Sequence, residues 1–87
     1  MSPRRDLEGE RVAMVERMIV APGVGVFRAL GVVEGATVSV GQTVGVVEGP
    51  GTQEPVRSAF DGVVMGFLAH SGQRLREGQA VAWMRVA

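Results

Sequence analysis

Gly25-Val26, Gly35, Gly41-Gln42 and Val44 return as Gly62-Val63, Gly72, Gly78-Gln79 and Val81, each 37 positions further along the chain. At the same offset Ile19 meets Val56, Leu30 meets Phe67, Val38 meets Leu75 and Val46 meets Trp83. One unit is written twice. Solenoids are built from three or more repeats, so two copies predict a closed, pseudo-symmetric domain. Each copy consists of short, valine-rich apolar stretches with many alternations, cut by glycine, and that pattern reads as β-strand. The glycines recur where tight turns need positive φ.

Working outward, the composition sets limits. A chain of 87 residues buries about two-thirds of its unfolded surface, which makes for a modest core. With three Phe and one Trp, valine has to carry most of the packing. Nine acidic residues balance nine arginines spread along the chain, so no basic surface for nucleic acid or an anionic membrane is marked. All the basic residues are arginine, and there is no lysine. The absence of cysteine removes disulfides and thiol chemistry. No apolar run approaches the ~20 residues that span a bilayer. With no signal peptide legible before the first strand, a cytoplasmic location is expected.

Residues 1–10 hold Arg4, Arg5, Asp6, Glu8 and Glu10 with almost nothing apolar, and read as a flexible tail ahead of a single domain over 11–87. Between Arg11 and Val20 the apolar positions fit a strand better than a short helix. A strand beginning near Val12 is longer than the domain needs, and its excess is available to a sheet edge or to a second chain, giving a homo-oligomer. Gly23-Val24-Gly25 has the look of a phosphate loop, but it lacks the third glycine, the helix and the lysine, so a turn is the reading.

Ala21-Pro22 through Phe27, Glu34-Gly35, Gly41-Gln42, Val44 to Glu48, Pro55-Val56-Arg57-Ser58, Asp61-Gly62-Val63-Val64, Gly72 and Gly78-Gln79 follow one another in an order and register that resembles the biotinyl/lipoyl attachment domain, in particular the biotin carboxyl carrier pattern. The resemblance implies an all-β fold, a flattened antiparallel β-barrel or sandwich of two four-stranded sheets related by a pseudo-two-fold axis. In that family a hairpin between the halves carries Glu-Ala-Met-Lys-Met, whose lysine is acylated by biotin or lipoate. The matching stretch here runs Glu48-Gly49-Pro50-Gly51-Thr52-Gln53-Glu54-Pro55-Val56. Counted from either end, the acceptor position falls on Gly51, with Pro50 and Thr52 in place of the flanking methionines. Pro50-Gly51 is good type II turn chemistry. The resemblance therefore implies a kept scaffold without its acceptor, and no attached cofactor. An arginine cannot substitute, because its guanidinium stays protonated. Lipoyl-like domains of periplasmic adaptor proteins carry a long helical hairpin between the halves, whereas a four-residue turn joins them here.

Two classes of function follow. One is an accessory or partner-binding protein, with carboxylase or 2-oxo acid dehydrogenase subunits as partners. The other is a small β-barrel recruited to bind or transform a ligand in a specialised pathway, and fold alone does not choose between them.

Catalytic candidates are few. His70 is the only histidine; with Ser71 and a carboxylate such as Glu77 or Asp61 it has the parts of a base, a nucleophile and an orienter. Neighbours in a strand point to opposite faces, which favours a solvated turn histidine instead. Glu48 and Glu54 flank the hairpin; facing each other they would have the raised pKa that suits acid catalysis, but solvated carboxylates are the preferred reading. Asp61 before Gly62 reads as a turn aspartate. One histidine and no cysteine leave no zinc site in view. Trp83 is expected to fill the core. Arg74 and Arg76, two apart, would share a face of a strand on which an anion or a partner could sit, though a solvated face is the preferred reading.

Overall fold

A computed structural model describes residues 15–86. The tail expected over 1–10, and residues 11–14, which the sequence leaves open between strand and helix, lie outside them. Eight strands follow one another: β1 (Val15–Val20), β2 (Gly25–Ala29), β3 (Thr37–Val38), β4 (Thr43–Gly49), β5 (Thr52–Arg57), β6 (Gly62–Phe67), β7 (Arg74–Leu75) and β8 (Ala80–Val86). They form two four-stranded antiparallel sheets, in the orders β1-β8-β6-β3 and β5-β4-β2-β7, which stack as a sandwich and do not close into a barrel. Among the described residues there is no helix long and apolar enough to cross a membrane.

The repeat read in the sequence organises the whole structure. Adding 37 to the bounds of β1, β2, β3 and β4 gives the start of β5, β6, β7 and β8, so each sheet is the image of the other. The turns repeat too. Gly41 N donates to Ser58 O at 2.7 Å and Gly78 N to Ala21 O at 2.8 Å, while Gly35 N donates to Val64 O and Gly72 N to Phe27 O at 2.7 and 2.8 Å. Gln42 and Gln79 each use the side-chain oxygen to accept from a backbone N–H three residues earlier, at Ser39 and Arg76.

The core is built from the same pairs. Ile19 and Val56, Phe27 and Val64, Val38 and Leu75, Val44 and Val81, and Val47 and Met84 are all buried between the sheets. Valine carries the packing as expected, with Phe27 the largest buried side chain. The close approach of strands fixes two glycines. A Cβ on Gly25 would lie 2.5 Å from Glu48 O, and one on Gly62 would collide with Arg85 O, the equivalent carbonyl of the other half. Ser58, buried where the first copy has Ala21, donates from Oγ to Phe60 O at 2.6 Å and accepts from Phe60 N.

Trp83 departs from expectation. It stands opposite Met18 of β1 and Gly66 of β6 on the outer face of its sheet, while its neighbours Ala82 and Met84 point inward and are buried. The indole covers Gly66 and lies beneath the Arg85 guanidinium, 5.9 Å from the ring centroid. Alternation along β8 decides this, because Met84 already occupies the inward position next to it.

Candidate functional site: the β4–β5 hairpin

β4 and β5 pair as far as Gly49 opposite Thr52, leaving Pro50 and Gly51 as a two-residue tip. Proline sets φ at the first of these positions, and Gly51 has φ of 69°, close to the third residue of a type II turn. The tip is exposed, and a Cβ on Gly51 would meet nothing within 4 Å. It carries no amine, thiol, imidazole or carboxylate.

Below the tip, register sorts the polar side chains by face. Glu48 stands opposite Gln53 on β5 and Val26 on β2, on the outer face of the sheet. Arg28, diagonal to it across β2, donates from Nη2 to Glu48 Oε1 at 2.8 Å, and Gln53 Nε2 donates to Oε2 at 2.7 Å. The hydrogen bond from Arg28, then that from Gln53, holds the Glu48 carboxyl below its ordinary range, and Glu48 in turn raises Arg28. Glu48 is thus an ionised acceptor with both oxygens engaged, the opposite of the raised carboxyl considered from the sequence. Glu54 stands opposite buried Val47, on the inward-pointing side, with its carboxylate over Gly23. The two glutamates do not face each other.

The remaining candidates are dispersed. His70 lies exposed in the turn between β6 and β7, where its backbone N–H donates to Gln73 Oε1 at 3.2 Å and its carbonyl accepts from Gln73 N. Ser71 Oγ accepts from Ala29 N at 2.8 Å, and Asp61 Oδ1 accepts from Val40 N, so each is committed to a backbone amide and not to the imidazole. Glu77 sits in the turn before β8. Among the described residues no group of three or more His, Asp or Glu is arranged to hold a metal ion. Arg74 and Arg76 are exposed on either side of buried Leu75, along the β7 edge of the sheet that carries the hairpin.

A shallow depression on the outer face, lined by Val26, Arg28, Glu48, Ser71 and Gly72, adjoins a second one at the hairpin lined by Gly49, Gly51, Thr52 and Gln53, and Glu48 belongs to both. Sequence reading singled out Glu48 but missed its partners. Closing the hairpin at Pro50-Gly51 would have placed Gln53 opposite it; Arg28 needed the pairing of β2 with β4, which no local signal carries.

Comparison with known proteins gives the following. A family model described as biotin-requiring enzyme, the biotin/lipoyl family, matches residues 17–84. No curated protein matches. Among solved structures the chain is similar to a single-chain, multi-domain long-chain acyl-CoA carboxylase (19% identity, TM-score 0.74, 83% of this chain and 7% of that one). It is similar to the urea carboxylase of Kluyveromyces lactis (23% identity, TM-score 0.72, 80% and 6%). A succinylglutamate desuccinylase/aspartoacylase from Rhodobacter sphaeroides shares 24% identity at a TM-score of 0.65 over 84% of this chain and 24% of that one. At these identities the likeness is one of fold, and the chain spans less than a tenth of either carboxylase.

Proposed function

The chain belongs to the biotin/lipoyl family, and from that premise we propose that it is a non-carrier member, an accessory protein that keeps the carrier scaffold and uses it to bind a protein partner of the carboxylase or 2-oxo acid dehydrogenase type. One observation carries the reading: the exposed tip that the family resemblance assigns to the acceptor is Pro50-Gly51, in a chain with no lysine at all. Biotinylation and lipoylation both join a carboxyl to a lysine amine. Without that amine no swinging arm forms, and what remains is a rigid surface.

The likeness to domains within an acyl-CoA carboxylase and a urea carboxylase supports a carboxylase-type partner. The hairpin, the Arg28–Glu48–Gln53 cluster and the exposed Arg74 and Arg76 form the surface on which binding is expected. A second reading, a small β domain serving an enzyme or a ligand-binding protein, draws on the likeness to a domain of the desuccinylase/aspartoacylase.

The test pairs two measurements. Intact mass after co-expression with a biotin ligase and with a lipoate ligase is expected to equal that of the bare chain; a gain of one acyl group would refute the non-carrier reading. Sedimentation with purified biotin carboxylase, carboxyltransferase and dehydrogenase components is expected to yield a stable complex with one of them. Binding to none of them would reject the partner reading and favour the second.

A further inference from the structure

The two sheets are images of one another, but their edges are protected differently. β3 and β7 are two-residue strands, too short to template another chain. β5 carries Pro55, which has no N–H to offer. β1, its counterpart 37 residues earlier, has Met18 where β5 has Pro55, and runs for six residues without proline. Among the described residues β1 pairs on one side only, with β8.

Pro55 also fixes which way the backbone of β1 faces. A proline inside a ladder turns its nitrogen away from the partner strand, so residue 55, opposite Val46, points to the free edge. By the internal two-fold, Met18, opposite Trp83, points its N–H and C=O outward, and with the strand alternation so do Glu16 and Val20. The same three residues lie on the outer face. Met18 is 51% exposed and Val20 45%, next to the half-buried Trp83, whereas Ile19 and Ala21 point inward and are buried.

We propose that β1 pairs antiparallel with β1 of a second copy of this chain across a two-fold axis at Met18, joining the two outer-strand edges into one continuous sheet. Continuity requires that residues of like face oppose one another, which restricts the two-fold centre to a residue. A centre at Glu16 or at Arg17 sets like charges against each other. A centre at Ile19 brings Glu16 opposite Pro22 and loses a donor. The centre at Met18 opposes Glu16 to Val20 and Arg17 to Ile19, and each of Glu16, Met18 and Val20 exchanges both backbone hydrogen bonds with the second copy. Across the outer face the row Gly66, Trp83, Met18 then meets its own image, placing two thioethers between two indoles. With the other edges closed by proline or by shortness, association ends at two copies.

The experiment is a concentration series of the full wild-type chain, followed by sedimentation and by amide NMR. Dimer formation is expected with increasing concentration, with shifts centred on the Glu16, Met18 and Val20 amides. Met18→Pro is expected to abolish it with the fold intact, since the equivalent position of β5 already accommodates proline. Met18→Arg keeps the donor but opposes like charges, and is expected to weaken association by about tenfold or more. Pro55→Met opens a second edge and is expected to give larger assemblies. A chain that stays monomeric throughout, a dimer whose shifts map away from β1, or a Met18→Pro or Met18→Arg variant that associates as the wild type does would each overturn the proposal.

Discussion

Arg28 donates from Nη2 to Oε1 of Glu48 at 2.8 Å, tying β2 to β4 at the base of the hairpin, while Gln53 takes the other oxygen from β5. Three strands are thereby pinned to one carboxylate. Because the folded carboxyl is held below its ordinary range, its contribution is present at neutral pH and is lost as pH falls through the folded value. The raised Arg28 contributes throughout the working range and loses its share only in strong alkali. Glu48→Gln is therefore expected to lower the melting temperature slightly at pH 7 and to leave it unchanged in strong acid. A carbon-detected titration of Glu48 should give a midpoint below the ordinary carboxylate range, moving upward in Arg28→Ala. An unmoved midpoint would show that the ion pair is not populated in solution.

Gly25 and Gly62 test the internal two-fold. At both, an added methyl meets a backbone carbonyl of the neighbouring strand, and at Gly25 it also comes within 2.7 Å of Val47 Cγ1. Gly25→Ala and Gly62→Ala are expected to cost about 1–3 kcal/mol or more in urea denaturation, through forced strand separation. Gly35 has open space around it, so Gly35→Ala pays for the left-handed backbone alone, about 1–2 kcal/mol.

Ser71 and His70 separate a structural role from a chemical one. Ser71→Ala removes the acceptor of the Ala29 amide and is expected to cost about 0.5–1.5 kcal/mol. His70→Ala touches only an exposed side chain and should stay within about 0.5 kcal/mol of wild type. Under the accessory reading, partner binding should also survive His70→Ala. A loss of binding or of any activity at that position would reopen its assignment.

Much of this architecture was legible because the repeat is strict. Pairs such as Ile19 and Val56, or Val38 and Leu75, are buried in register, since the same alternation serves both halves. Where the halves diverge, the pairing misled. Leu30 is half exposed although its counterpart Phe67 packs against the core, and Trp83 stands on the outer face because Met84 fills the interior. The hairpin tip could be read from Pro50-Gly51, whose backbone demands are local. The Glu48 cluster could not, because Arg28 is brought to it by a strand pairing that spans 20 residues.

The hairpin itself permits a gain-of-function test. Gly51 is exposed with open space around it, so a longer side chain there is opposed only by the φ of 69°, a cost of about 1–2 kcal/mol. Replacing Pro50 adds a little, since proline restricts the unfolded chain, about 0.4–1 kcal/mol. The combined variant Pro50→Met, Gly51→Lys, Thr52→Met should therefore fold, with the register from Gly49 to Thr52 retained by the backbone ladder. If Gly51 occupies the acceptor position, co-expression with a biotin ligase is expected to add one biotinyl group, located at residue 51 by peptide mass spectrometry. A variant that folds, as judged by its thermal melt, yet stays unmodified would show that a ligase does not read this hairpin as an acceptor turn, and the assignment of Gly51 would fall.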